Sequence, residues 1–180
     1  PMQGGGENDY EFVNEVTGGR IPTEYIPSVD KGFQMARAKG PLAGFEVIGV
    51  QMVLEDGSSH AVDSSDLAFQ ICARAAFREV VWAAKPVLLE PIMRVEVEVP
   101  TEFQGPVAGD LASRRGYITN SEVKANAAVL HADVPLANMF GYVNTLRSFS
   151  QGRASYVMEF DHYEEVPKAV SQEVLAKLRA

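Results

Sequence analysis

Apolar and polar positions alternate along the chain in stretches of two distinct periods. From Met93 to Val99 every second residue is apolar, with Arg94, Glu96 and Glu98 between them, as a strand buried on one face requires. Upstream, YEFVNEV reads as a strand with no partner before it. Pro22 and Pro27 mark a helix entrance, Val29, Phe33, Met35 and Ala36 give that helix an apolar face, and Gly40-Pro41 stops it. Phe45, Val47, Val50, Met52 and Leu54 predict a strand broken near Gly49. A second helix runs to about Lys85, with Asp63 or Ser64 as its cap and Leu67, Ile71, Cys72 and Ala75 as its buried stripe.

Beyond Pro86 the pattern predicts a second unit. A helix over Gln104 to Arg115, closed by Gly116, follows the alternating strand. Strands near Tyr117 to Val123 and Ala127 to Val134 come next. Leu136, Met139, Phe140, Val143 and Leu146 then fall at helical spacing. Ser150-Gln151-Gly152 breaks that helix before a last strand, ASYVMEFDHYEEV, and Pro167 opens a terminal helix. Strand, helix, strand, strand, helix, strand is the ferredoxin-like order, with both helices on one face of an antiparallel sheet. The expected class is therefore α+β in two domains.

Composition narrows the field. The chain has 180 residues, of which 46% are apolar and 22% charged, enough for one sizeable core or two small ones. A single cysteine, Cys72, excludes an internal disulfide framework and a multi-cysteine zinc site, and favours a reducing compartment such as the cytosol. On the stripe with Leu67 and Ile71 it reads as a buried structural thiol. No apolar run approaches the roughly 18 residues that span a bilayer, so no membrane is expected. A formal charge of -8 argues against broad electrostatic binding to nucleic acid and leaves only local basic patches.

The stretch EDGSSHAVDSSDLAF collects the residue types of several chemistries. A hydrolase reading would use Ser59, His60 and Asp63, but adjacent side chains in an extended loop diverge, and no G-x-S-x-G elbow is present. His60, His131 and His162 lie far apart in sequence, without metal-ligand spacing, so no metal is expected. His131 and His162 sit in strand patterns, where they suit solvent or a hydrogen bond. No phosphate-cradling glycine motif occurs either. Arg74, Arg78 and Lys85 share one sector of the second helix, where they could meet phosphates, although with Glu79 and abundant acids nearby a solvated face is the equal or better reading. Arg114 and Arg115 at one helix end, and Arg147 and Arg153 flanking another, are further small patches open to the same two readings, favourable contact with the helix dipole being the blander one.

The ordered blocks GGRIPTEYIPSVDKGF, DGSSHAVDSSDLAF, KPVLLEPIMRVEVEVP, GDLASRRG and VPLANMFGYVNTLRSFSQGRASYVMEF resemble bacterial or organellar elongation factor G along nearly the whole chain. The resemblance implies that residues 1–89 correspond to part of that family's fourth domain, which has a fold like the second domain of ribosomal protein S5. Residues 90–180 would correspond to the fifth, ferredoxin-like domain with its C-terminal helix. The segment supplying the fourth domain's first strand and a second, glycine-rich tip loop would precede the chain. His60 matches the tip-loop histidine that lies beside the codon–anticodon duplex, with Gly57, Ser58 and Ser59 as its neighbours in that contact. Arg74, Arg78, Arg114, Arg115 and Arg147 become candidates for ribosomal RNA. The resemblance further implies a ribosome-binding protein without catalysis of its own, whose GTP, GDP and magnesium belong to a separate GTPase domain. Its expected partners are ribosomal RNA and the tRNA–mRNA duplex, with no DNA, and a monomer in the cytosol or an organellar matrix is expected. A ribosome-recycling paralogue would share these domains, and outside the family a plain protein-interaction module is the other alternative.

Overall fold

A computed structural model describes residues 9–179, which form two α+β units. Of these, residues 9–88 and 166–179 make one unit, and Leu89–Glu165 makes the other.

The first unit contains β1 (Tyr10–Asn14), α1 (Ile26–Arg37), β2 (Val50–Leu54) and α2 (Asp66–Ala83). The partner of β1 comes later in the chain: β1 and β2 pair in parallel, from Tyr10 with Val50 to Asn14 with Leu54. The strand predicted over residues 45–54 forms only in its second half. Gly49 turns the backbone at a φ of +67°, and Phe45 is left 57% exposed. Val29, Phe33 and Ala36 of α1 meet Met52 of β2 and Ala73, Phe77 and Val81 of α2 in one apolar cluster. Phe77 is wholly buried, a burial that contributes about 2 kcal/mol. Met35, expected on the same face as Phe33, points outward at 48% exposure.

The face that α2 buries differs from the predicted stripe. Leu67, Ile71, Cys72 and Ala75 are all exposed, and Cys72 is not a buried thiol. The helix is apolar around most of its circumference, so periodicity alone does not choose a side. Contact with α1 does. A Cβ placed on Gly32 would lie 2.6 Å from the Gln70 carbonyl oxygen and 2.7 Å from the Ala73 Cβ, so only a bare backbone lets the helices come this close. That approach turns Ala73 inward and its neighbours Cys72 and Arg74 outward.

The second unit is an antiparallel sheet of β3 (Leu89–Pro100), β4 (Tyr117–Lys124), β5 (Ala127–Pro135) and β6 (Ser155–Glu165), in the order β4-β5-β3-β6. Helices α3 (Gln104–Ser113) and α4 (Tyr142–Ser150) cover one face. Val107 and Leu111 from α3, and Tyr142 and Leu146 from α4, pack on Val95, Val97, Val99, Leu130 and Val134. The βαββαβ expectation holds, and from Met93 onward the alternation along β3 is strict: Val95, Val97 and Val99 are at most 1% exposed, while Arg94, Glu96 and Glu98 face out. Helix α4 begins later than its spacing predicts. Leu136–Asn138 form a 3-10 turn, Gly141 takes a φ of +75° as N-cap, and Phe140 stands 79% exposed instead of joining an apolar stripe. A last helix, α5 (Lys168–Arg179), follows β6 and belongs to the first unit.

Helix α3 also ends differently. Its left-handed C-terminal residue is Arg115, at φ +64°, and not Gly116. The Gly116 N–H reaches back to the Leu111 carbonyl at 2.9 Å, as at many helix ends. The glycine is needed there for closeness, since a Cβ would sit 2.6 Å from that same carbonyl oxygen.

Candidate functional site

The loop Glu55 to Ser65 joins β2 to α2, and each end is tied to the body of the unit. At its base the Glu15 N–H donates to the Leu54 carbonyl, 2.9 Å, continuing the pairing of β1 with β2. Asp56 takes a 2.6 Å ion pair from Arg20, with both side chains more than half exposed, so it contributes at most about 1 kcal/mol. Gly57 rests on Ile21, which is 4% exposed, so closely that a Cβ would come within 2.5 Å of the Ile21 Cδ1. The turn carrying Arg20 and Ile21 is therefore the seat of the loop.

At the other end, Ser65 is the N-cap of α2, with its hydroxyl accepting from the Ala68 N–H at 3.1 Å. The predicted caps, Asp63 and Ser64, lie in the turn ahead of the helix. Ser64 accepts from the His60 N–H at 2.8 Å and returns its own N–H to the His60 carbonyl at 3.1 Å. Asp66, at the positive end of α2, accepts the buried Ser28 hydroxyl of α1 at 2.6 Å.

Between these ties Ser58 and His60 are exposed, with Ser59 half-buried. Among the described residues the His60 imidazole has no hydrogen-bond or ion-pair partner. The Ser59 hydroxyl makes no bond to it, so the nucleophile and base of a hydrolase are not assembled. No group of three His, Cys, Asp or Glu side chains among the described residues is placed to hold a metal. Among the same residues no helix is long and apolar enough to cross a membrane. What the loop offers is an imidazole, hydroxyls and amides on a held backbone, which suits contact with ribose and phosphate rather than bond-breaking.

The basic candidates separate into two groups. Arg74 and Arg78 lie exposed one turn apart on α2 and enter no ion pair among the described residues, and Arg147 does the same at the end of α4. Lys85 leaves their sector, because α2 ends at Ala83 and Lys85 turns away at φ +57°. Arg114 and Arg115 are engaged internally. Arg114 donates to Asp110 at 2.8 Å, to the Asn138 carbonyl at 2.7 Å and to Thr145 at 3.0 Å, while lying 5.1 Å over the Tyr142 ring. Burial, reinforced by the Asp110 charge, pushes the Tyr142 phenol far above its usual range. Arg115 grips both carboxylate oxygens of Glu90, at 2.5 and 3.0 Å. Pairing with Glu90 outweighs desolvation and raises the Arg115 pKa. Of these partners only Asp110, four residues before Arg114 on the same helix, is visible in the sequence spacing, because Glu90, Asn138 and Thr145 come from other elements.

The two remaining histidines follow the strand reading. His131 faces Glu96 across β5 and β3 at 3.7 Å, and His162 Nδ1 lies 2.7 Å from Asp161. That bond, with the adjoining Arg94, holds the Asp161 carboxyl below its usual range.

Residues 1–85 match the family described as elongation factor G, domain IV, and residues 87–174 match the elongation factor G C-terminus. A crystal structure of a protein from Thermus thermophilus superposes with a TM-score of 0.90 at 44% identity, over 95% of this chain and 26% of that one. The chain thus spans about a quarter of the length of that solved protein.

Proposed function

Because the chain belongs to the elongation factor G family, over that family's domain IV and C-terminal domain, we propose that it is the ribosome-binding portion of a factor that drives GTP-dependent movement of tRNA and mRNA. The observation that carries this reading is the His60 loop: an unpartnered imidazole at an exposed apex, on a backbone tied down on both sides. In this reading the first unit acts as a wedge. His60, with Gly57, Ser58 and Ser59, meets the sugar–phosphate surface of the moved codon–anticodon duplex and opposes its return. Contacts of that kind position without reading bases, as a factor serving every codon requires. The second unit anchors on ribosomal RNA. Of the arginine candidates, Arg147 is the one left open to phosphate on that unit, with Arg74 and Arg78 on α2 of the first, because Arg114 and Arg115 are engaged in internal bonds. Hydrolysis of GTP belongs, in this account, to a separate nucleotide-binding domain, and the site of action is the cytosol or an organellar matrix.

The test is His60→Ala in a full-length factor carrying this sequence. Translocation in a single turnover should slow about tenfold or more with GTP hydrolysis nearly unchanged. An unaltered translocation rate would remove His60 from the mechanism. A subunit-splitting assay on the same proteins separates translocation from recycling.

A further inference from the structure

We infer that Ser64 is a positioning residue for His60, acting as a lock on its backbone and separate from the helix cap beside it. The inference rests on the reading of His60 given above and adds a residue to it. Two adjacent serines precede α2, and either could cap a helix. The structure gives them different tasks: Ser65 caps α2 through Ala68, and Ser64 turns back to His60. Both backbone polar groups of His60 are committed to this one residue. Its N–H donates to the Ser64 hydroxyl at 2.8 Å, and its carbonyl accepts from the Ser64 N–H at 3.1 Å.

With both groups held, the Cα–Cβ direction of His60 is fixed while the imidazole stays free to meet a ligand. Neither a strand nor a helix supports this part of the loop, whose neighbours Ala61, Val62 and Asp63 are all exposed. The Arg20–Asp56 pair and the Ile21 seat secure only the side nearer β2. Without the Ser64 hydroxyl, the His60 N–H would turn to water and the ring would sample many directions. The ordering then has to occur on the ribosome, at the expense of rate. One hydrogen bond of this kind corresponds to about a five- to tenfold effect.

The experiment compares Ser64→Ala, Ser64→Thr, His60→Ala and the double variant in a full-length factor carrying this sequence. Maximal translocation rate and half-saturating factor concentration are measured, with hydrogen exchange over the segment containing His60. Ser64→Ala should lower the maximal rate about five- to tenfold and leave half-saturation unchanged. It should speed exchange at the His60 amide without altering exchange in α2, and Ser64→Thr should restore both. In the His60→Ala background, Ser64→Ala should have no further effect. Unchanged exchange in Ser64→Ala would overturn the lock, and a further loss in the His60→Ala background would show Ser64 acting by another route. If His60→Ala is slow but Ser64→Ala is normal, the positioning claim falls and the reading of the tip stands. If His60→Ala is itself normal, the reading falls first.

Discussion

Arg115 holds a φ of +64°, a conformation that costs an L-residue about 1 kcal/mol relative to glycine. Its bidentate bond to Glu90, which is 9% exposed, offsets that strain and satisfies a carboxylate with little access to water. Removing the guanidinium would leave the carboxylate nearly buried and alone. Arg115→Ala should therefore destabilise the protein by about 2 to 3 kcal/mol in urea unfolding, a value reduced for the partial exposure of the arginine. Arg115→Gly should recover about 1 kcal/mol of that loss, since glycine tolerates the left-handed backbone. A smaller loss for alanine than for glycine would mean the backbone is unstrained. Because the folded pKa of Arg115 is raised, the pair's contribution is fully present below arginine's unfolded range and is lost only as pH rises above it. On the alkaline side the bond should thus persist at every pH where the protein is handled. At this same scale His60 was marked by its match to the tip-loop histidine of the resembled family, but the sequence could not divide the labour of Ser64 and Ser65. Both are good cap formers, and only the folded turn brings one of them back to His60.

At the scale of elements, legibility depended on how one-sided each pattern is. In β3, from Met93 onward, a strict period of two left one face to bury, and Val95, Val97 and Val99 are buried as expected. In α2 apolar residues surround the axis, and Ala73 and Ala75 look alike in sequence although one is buried and the other exposed. The deciding residue is on another helix: Gly32 of α1, whose missing side chain sets the approach. Phe140 escaped prediction for a related reason, because the positive φ of Gly141 resets the chain direction before α4 begins. The crossing at Gly32 yields a prediction of its own. Gly32→Ala should gain helix propensity yet lose about 1 to 3 kcal/mol overall, because the new methyl meets backbone at Gln70. A stabilised Gly32→Ala variant would show that the helices separate easily and that the contact does not set the face of α2.

Across the whole molecule, charge is distributed unevenly. The total is -8, and the outer face of the second unit's sheet carries Glu96, Glu98, Glu122, Asp133 and Glu159 against Arg94 and Lys124. Under the proposed function, this leaves phosphate contact to unpaired cations elsewhere. Arg74→Glu with Arg78→Glu should shrink the slope of log affinity against log salt for ribosome binding by about 2, with melting unchanged because both side chains are exposed. An unchanged slope would mark that helix face as merely solvated. The outer sheet also has a free margin in β4, and there the pairing with β5 slips between Ile118 and Asn120. An offset of this kind, followed by Glu122 and Lys124, denies a stray chain the straight, uncharged row of amides it would need to continue the ladder. The irregularity thus serves as a guard against fibril growth, and removing it by deleting Thr119 would trade a regular strand for a surface prone to aggregate.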